Sequence, residues 1–138
     1  MSENSCLVGP ALDVGIVTNA LPEQLRFYSE LLGFPAAGEV EIPSVGTIHR
    51  LAAGASILRL MVPESLPAKA PDAGFFTGIE GIRYLAMRVS DLAGLVARIE
   101  AEGFRVLVPT RELRPGVEVA IVADADGNAV ELMEDNAS

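Results

Sequence analysis

Cysteine and histidine, the residues that most often form disulfides or hold transition metals, are scarce in this sequence. Its 138 residues include one cysteine, Cys6, and one histidine, His49. A single cysteine can form neither an internal disulfide nor a thiolate metal cluster. Because Cys6 lies close to the start of the chain, we interpret it as incidental rather than catalytic.

Positive charge and long apolar runs are also lacking. Ten lysines and arginines stand against nineteen acidic residues, and the formal net charge is −9. A phosphate backbone would be repelled over most of such a surface, so we expect no nucleic-acid partner.

No run approaches the roughly 20 apolar residues that cross a bilayer. The polar start, Met1 to Ser5, also lacks the basic and apolar regions of a signal peptide. We therefore expect a cytoplasmic protein without a membrane partner.

An internal repeat organises the chain. The segment LDVGIVTNALPEQLRFYSELLGF, from Leu12, aligns with IRYLAMRVSDLAGLVARIEAEGF, from Ile82. Each segment reads as an apolar strand, a polar break and an amphipathic helix that ends in Gly-Phe, and three short strand-like runs follow each. This pattern predicts an α+β fold in one domain, 1–138. The domain contains two βαβββ modules, 11–62 and 81–135, and a linker, 63–80.

Both helices are predicted to bury one apolar stripe. The first helix is expected to carry Pro22 in its first turn and to end at Gly33. The second is expected to begin at Ser90 or Asp91 and to end at Gly103. The predicted stripes are Leu21, Leu25, Tyr28 and Leu32 in the first helix, and Leu92, Leu95, Val96 and Ile99 in the second.

Strand parity separates two faces of the predicted central strands, because alternate side chains of a strand point in opposite directions. One parity is wholly apolar and is expected to meet the helices: Leu12, Val14, Ile16, Leu58, Leu60, Val62, Leu85, Met87, Val89, Val130 and Leu132. The other parity mixes ionisable groups with small or flexible residues, as the lining of a ligand pocket does: Asp13, Gly15, Val17, Ile57, Arg59, Met61, Tyr84, Ala86, Arg88, Ala129, Glu131 and Met133. An ordinary solvent-facing sheet surface is the alternative interpretation.

Two motifs resemble a known family. Leu25 to Tyr28 followed by Leu31 to Phe34 resembles the "FY…LGF" signature of vicinal-oxygen-chelate proteins, and Asp124 to Leu132 resembles their "DPDGN-x-x-EL" ending. Together with the repeat, the resemblance extends from about Leu12 to Glu134. That family includes glyoxalases, bleomycin-resistance proteins and extradiol dioxygenases. The resemblance implies a curved, cleft-bearing sheet made by the two modules, and a homodimer.

The family's metal site is not retained in this sequence. The four positions that hold a divalent ion in metal-dependent members fall on Asp13, Arg59, Tyr84 and Glu131, and Glu131 alone is a family residue. A guanidinium offers no lone pair and repels a cation. We therefore expect no metal and no cofactor. His49 lies outside the four positions and is interpreted as structural or surface.

An acidic segment near the end of the chain raises the question of a calcium loop. The glycine of the run Asp124 to Asn128 comes too early for such a loop, and no glutamate follows at its twelfth position. We therefore predict that this run is a hairpin turn.

Three functions stay open. The first is a metal-independent small-molecule-binding protein that sequesters a ligand, as bleomycin-resistance proteins do. Its ligand would contact Arg59, Tyr84, Arg88, Met61, Met133, Phe75 and Phe76. The second is an isomerase, lyase or cyclase without metal, with Glu131 or Asp13 as base and Arg59 or Tyr84 as electrophile. The third is a structural or regulatory interaction domain. The charge of the ligand is open, because the acidic surface favours a cation and Arg59 favours an anion.

Overall fold

The chain consists of two compact units of the same architecture. A computed structural model describes residues 5–69 and 74–136. One unit lies within residues 1–69 and the other within residues 70–138. Each contains one four-stranded mixed sheet and the element order strand, helix and three strands. The predicted α+β fold with two βαβββ modules is confirmed. In the part of the chain that the structure describes, no helix is long and apolar enough to cross a membrane.

The first unit begins with a short strand and a two-part helix. Its sheet has the order β1-β4-β3-β2, in which β1 is parallel to β4 and the other pairs are antiparallel. Its elements are β1 (Val14–Val17), α1 (Leu21–Leu25), a π-helical segment (Arg26–Leu31), β2 (Ala36–Ile42), β3 (Gly46–Ala53) and β4 (Ser56–Pro63).

The second unit repeats this plan. Its sheet has the order β5-β8-β7-β6, again with one parallel pair, β5 and β8. Its elements are a 3-10 turn (Phe76–Gly78), β5 (Tyr84–Arg88), α2 (Leu92–Ala101), β6 (Val106–Arg114), β7 (Val117–Ala123) and β8 (Ala129–Asp135).

The strand register confirms the predicted faces of the central strands. Val14 and Ile16 of β1 lie opposite Leu58 and Leu60 of β4. In the second unit, Leu85 and Met87 lie opposite Val130 and Leu132, so that the parallel strand pair of each sheet has one apolar face. Four of these residues are almost completely buried, namely Leu58, Leu60, Val130 and Leu132.

One residue was assigned to the apolar face wrongly. Leu12 precedes β1 and is an exposed hydrophobic residue. Its position before the paired part of the strand explains the error, because parity orders side chains only where the backbone is held in a sheet.

The first helix differs from the prediction in its winding. From Arg26 onward it is π-helical, and the N–H of Leu32 donates to the carbonyl oxygen of Phe27, five residues earlier, at 3.0 Å. A wider turn shifts the residues that follow it, such as Leu32, out of a 3.6-residue stripe. Gln24, Phe27 and Tyr28 are fully buried, whereas Leu21, Leu25 and Leu32 are only half-buried. The predicted end at Gly33 is confirmed by its left-handed φ of 78°.

The second helix follows the prediction more closely. Asp91 is its N-cap, and its carboxylate accepts a hydrogen bond from the N–H of Gly94 at 3.3 Å. Leu92, Leu95 and Ile99 are buried, and Val96 is half-buried. Glu134 of β8 also accepts from the N–H of Leu92 at 2.8 Å. Because Glu134 has the parity of Val130 and Leu132, this bond places the start of α2 on the apolar face.

The predicted turn before the last strand is confirmed, and Asp124 organises it. This residue is 4% exposed. Its carboxylate accepts hydrogen bonds from the backbone N–H of Asp126 at 3.0 Å, from the N–H of Asn128 at 2.9 Å and from the amide Nδ2 of Asn128 at 2.9 Å. Gly127 adopts a φ of 87°, which the reversal requires. The acidic run is thus held by its own backbone.

Candidate ligand-binding site

The face of the first sheet that lies opposite the apolar one, here called the first mixed face, is built from two rows of side chains. In one row, Val17, Met61 and Ile48 are aligned across β1, β4 and β3. In the next row, Gly15, Arg59 and Arg50 are aligned across the same strands. An apolar row therefore runs beside a row that carries two guanidinium groups.

Asp13 and Arg59 form an ion pair on this face. The Nη2 of Arg59 lies 3.2 Å from the Oδ2 of Asp13, and the side chains are 49% and 35% exposed. The other oxygen of Asp13, Oδ1, accepts the backbone N–H of Ile57 at 2.8 Å. Both carboxylate oxygens of Asp13 are therefore engaged. The guanidinium of Arg59 is fixed at one edge and remains half-exposed.

Arg50 was not among the candidate residues predicted from the sequence. It lies directly opposite Arg59 in the antiparallel pairing of β3 and β4. Its Nη1 donates to the carbonyl oxygen of Ala37 at 2.9 Å, and the residue is half-buried. The alternation of Ile48, Arg50 and Ala52 along β3 was a signal that could have identified it, once the register against β4 was known.

The corresponding face of the second sheet, the second mixed face, carries the other candidate acid. Glu131 of β8 lies between Ala86 of β5 and Ile121 of β7. It is half-buried, and both of its cross-strand neighbours are apolar. Arg88 lies opposite Met133, one row along the sheet, and Arg88 is exposed.

Three aromatic side chains cluster beside the first strand of this sheet. The rings of Phe75 and Phe76 have centroids 4.6 Å apart, and Phe76 contacts Tyr84 edge to face at 5.4 Å. The carbonyl oxygen of Phe76 accepts a hydrogen bond from Nε of Arg83 at 3.3 Å, which holds the cluster against β5. Phe75 and Tyr84 are each 51% exposed. The cluster thus presents aromatic surface to a potential ligand.

The predicted site residues are divided between the two units. Asp13, Arg59 and Met61 belong to the first unit. Those of the second unit are Glu131, Tyr84, Arg88, Met133, Phe75 and Phe76. The structure brings Asp13 together with Arg59, and the three aromatic rings with one another.

The donor set does not fit the divalent ion that metal-dependent relatives of this fold hold. Asp13 is engaged by Arg59 and by the N–H of Ile57, and a guanidinium is not a metal ligand. Among residues 5–69 and 74–136, no group of three or more His, Cys, Asp or Glu side chains could hold a metal ion. His49 lies opposite Leu60, on the apolar parity, and its Nδ1 is 3.3 Å from Oε1 of Glu39.

Comparison with known proteins identifies the family. The family model for the Glyoxalase/Bleomycin resistance protein/Dioxygenase superfamily matches residues 11–132. No curated protein sequence matches the chain.

Solved structures show the same fold. A glyoxalase family protein from Bacillus cereus is 17% identical, with a TM-score of 0.81, and the match covers 98% of this chain and 99% of that one. The trypanothione-dependent glyoxalase I of Leishmania major is 24% identical, with a TM-score of 0.71 and coverages of 89% and 84%. TnmS3, an antibiotic binding protein from Streptomyces sp. CB03234, is 21% identical, with a TM-score of 0.62 and coverages of 91% and 93%. Because the family model matches most of its length, the chain belongs to the glyoxalase, bleomycin resistance protein and dioxygenase superfamily.

Proposed function

We propose that this protein binds and sequesters a small organic molecule without a metal ion. The observation that carries the proposal is the half-exposed aromatic cluster of Phe75, Phe76 and Tyr84. The chain has only five phenylalanines and two tyrosines. Three of these seven aromatic residues form one cluster that is not buried in the core. Exposed rings forfeit the burial that stabilises a fold, so a cluster of them favours a role in contacting a ligand.

Each of the two mixed faces, taken by itself, also combines apolar and charged side chains, which suits a ligand of mixed chemistry. Met61 lies between Val17 and Ile48, and Met133 lies between Arg88 and Val119. Both methionines are half-buried, and their flexible thioethers adapt to different shapes. Arg59 supplies a charged donor on the first mixed face, and Arg88 supplies one on the second mixed face. TnmS3, which shares the fold, is described as an antibiotic binding protein. That description supports ligand binding as a function for this chain as well.

A neutral aromatic probe tests the proposal. We expect the purified protein to bind N-phenylnaphthylamine, with an increase in fluorescence on titration. Tyr84→Ala should weaken this binding about tenfold, because one stacking contact and its buried area contribute about 1 to 2 kcal/mol. Leu113→Ala is the matched control, because Leu113 lies in β6 of the same unit and is 49% exposed. Equal affinities of Tyr84→Ala and the wild type would contradict the proposal.

An enzymatic function is the second candidate. The position of Glu131 between two apolar neighbours favours it. Its carboxylate lies between Ala86 and Ile121 on the second mixed face, where it could act as a general base in an isomerase or lyase reaction. Asp13 is the weaker candidate base, since both of its oxygens are engaged. The test is deuterium exchange, in heavy water, at the carbon next to a carbonyl group of a co-purified ligand. Exchange that is lost in Glu131→Gln would support turnover, and equal exchange in both proteins would contradict it.

The location and assembly remain proposals. We propose that the protein is a cytoplasmic homodimer, and the family resemblance supports the dimer. The net charge of −9 supports the absence of a nucleic-acid partner. Analytical ultracentrifugation tests the dimer, which should sediment at about twice the mass of the 14.5 kDa chain.

A further inference from the structure

The second mixed face carries a carboxylate that is set among apolar neighbours. Glu131 of β8 lies between Ala86 of β5 and Ile121 of β7 and is half-buried. Within residues 5–69 and 74–136, no hydrogen bond or ion pair includes its side chain. Partial removal of a charged group from water costs free energy unless a partner compensates for the lost hydration. A cation placed against Glu131 would be such a partner.

The two arginines at β5 do not neutralise Glu131. Arg88 lies one row away on the same face, opposite Met133, and is exposed. Arg83 precedes the strand, and its Nε donates to the carbonyl oxygen of Phe76 at 3.3 Å. Neither arginine forms an ion pair with Glu131. An exposed guanidinium stays hydrated and gains little from a pairing that fixes its flexible side chain. The carboxylate therefore stays available to a ligand.

An exposed alanine separates Glu131 from the aromatic cluster. Ala86 is exposed, and it lies two residues after Tyr84 on β5 and directly opposite Glu131. Neighbours on one face are about 7 Å apart along a strand, and paired strands are about 5 Å apart. The methyl group of Ala86 fills little of this space. A small ligand lying over Ala86 would therefore reach both Tyr84 and Glu131 within one unit.

The aromatic cluster favours the same ligand charge as the carboxylate does. Tyr84 and Phe75 are each 51% exposed, and the ring of Phe76 supports Tyr84 edge to face at 5.4 Å. The face of an aromatic ring carries negative partial charge and attracts an ammonium group. The net charge of −9 attracts cations at longer range. Ring faces, carboxylate and overall charge thus agree on a positively charged ligand.

We propose that Glu131, Ala86 and Tyr84 form a binding site for an organic ammonium group, and that the ligand is a small protonated amine with an aromatic or apolar body. This inference rests on the proposed binding function and specifies its ligand class. The carboxylate of Glu131 accepts hydrogen bonds from the ammonium N–H groups. The ring of Tyr84 contacts the body of the ligand. All of these residues belong to the second unit.

Two naphthalene compounds that differ in one polar group test the site. Naphthylmethylamine is a cation at neutral pH, and naphthylmethanol is its neutral counterpart. In isothermal titration calorimetry, we expect the wild type to bind the amine at least about tenfold more tightly, the difference that one charge-assisted hydrogen bond provides. Glu131→Gln keeps the shape of the side chain and removes its charge. This variant should reduce the ratio of the two affinities to less than about threefold.

A matched variant separates the site from a general effect of charge. Glu118→Gln removes the same charge from an exposed residue of β7. Glu118 lies opposite Glu134, on the other face of the sheet from Glu131, so this variant should keep the wild-type ratio. Circular dichroism melts establish that each variant is folded. Naphthoate provides a second measurement that needs no variant, because Glu131 should repel this anion and make its binding to the wild type weaker than that of naphthylmethanol.

The outcomes distinguish the ammonium site from the binding function. A preference for the amine that is lost in Glu131→Gln and kept in Glu118→Gln supports the site. Equal binding of the amine and the alcohol overturns it, as does a preference that survives in Glu131→Gln, one that is lost in both variants, or tighter binding of naphthoate than of the amine. Each of these results leaves the binding function standing. If the folded wild type binds neither these compounds nor N-phenylnaphthylamine, the binding function is overturned as well.

Discussion

The buried carboxylate of Asp124 allows a quantitative prediction about the last hairpin. Asp124→Ala would leave three donors without their acceptor: the N–H groups of Asp126 and Asn128, and the side-chain amide of Asn128. These bonds join a charged acceptor that is only 4% exposed. Allowing for the partial access of water to the turn, we expect a loss of about 3 kcal/mol in the free energy of unfolding.

Urea denaturation followed by circular dichroism measures this loss, because the chain has no tryptophan to report by fluorescence. A loss of about 3 kcal/mol corresponds to a midpoint lower by about 1 to 2 M urea. Asp124→Asn keeps an acceptor for the two backbone N–H groups and should lose about 1 kcal/mol. Glu100→Ala removes an exposed carboxylate from α2 and should change stability by less than about 0.5 kcal/mol. A loss below about 1 kcal/mol for Asp124→Ala would refute this account of the turn.

Two further predictions concern the scaffold. Gly46→Ala should destabilise the protein by more than about 2 kcal/mol in the same denaturation assay, because a Cβ there would collide with the backbone carbonyl of Val62. The control Gly15→Ala has open space, and an equal loss in both variants would contradict the explanation. The pKa of Glu134 is lowered from 4.5, first by the N–H of Leu92 and then by the side chain of Asn136. Its contribution to stability should therefore be complete above pH 4.5 and disappear as the pH falls through the lower folded-state pKa. Glu134→Gln should lose that part of the pH dependence, and an unchanged pH profile of the urea midpoint would count against it.

Much of the fold was predictable from the sequence, because strand parity follows from backbone stereochemistry alone. The register pairs Val14 with Leu58 and Leu85 with Val130, so that the residues of one predicted parity share one face of each sheet. The end of the first helix at Gly33 was predictable for a similar reason, since a left-handed cap favours glycine.

The winding of the first helix was not predictable in this way. Its π-helical segment contains the fully buried Phe27 and Tyr28, and a 3.6-residue period does not predict where a helix widens to π-helical winding. The sequence therefore indicated the right helix and, in part, the wrong buried side.

The candidate site was predictable in its residue types and only partly in its partners. Parity placed Asp13 and Arg59 on one face, and the structure joins them at 3.2 Å. Arg50 was missed because its face depends on the register of β3 against β4. That register follows from the short turn in which Ala53 lies opposite Ser56 and Gly54 adopts a φ of 60°.

Native mass spectrometry of gently purified protein tests the central claim most directly, because one spectrum reports bound metal and co-purified small molecules together. The account predicts a species without a transition metal that carries an organic adduct, whose mass would begin to identify the ligand. A stoichiometric transition metal on the folded protein would contradict metal-independent binding and would favour a metal-dependent enzyme.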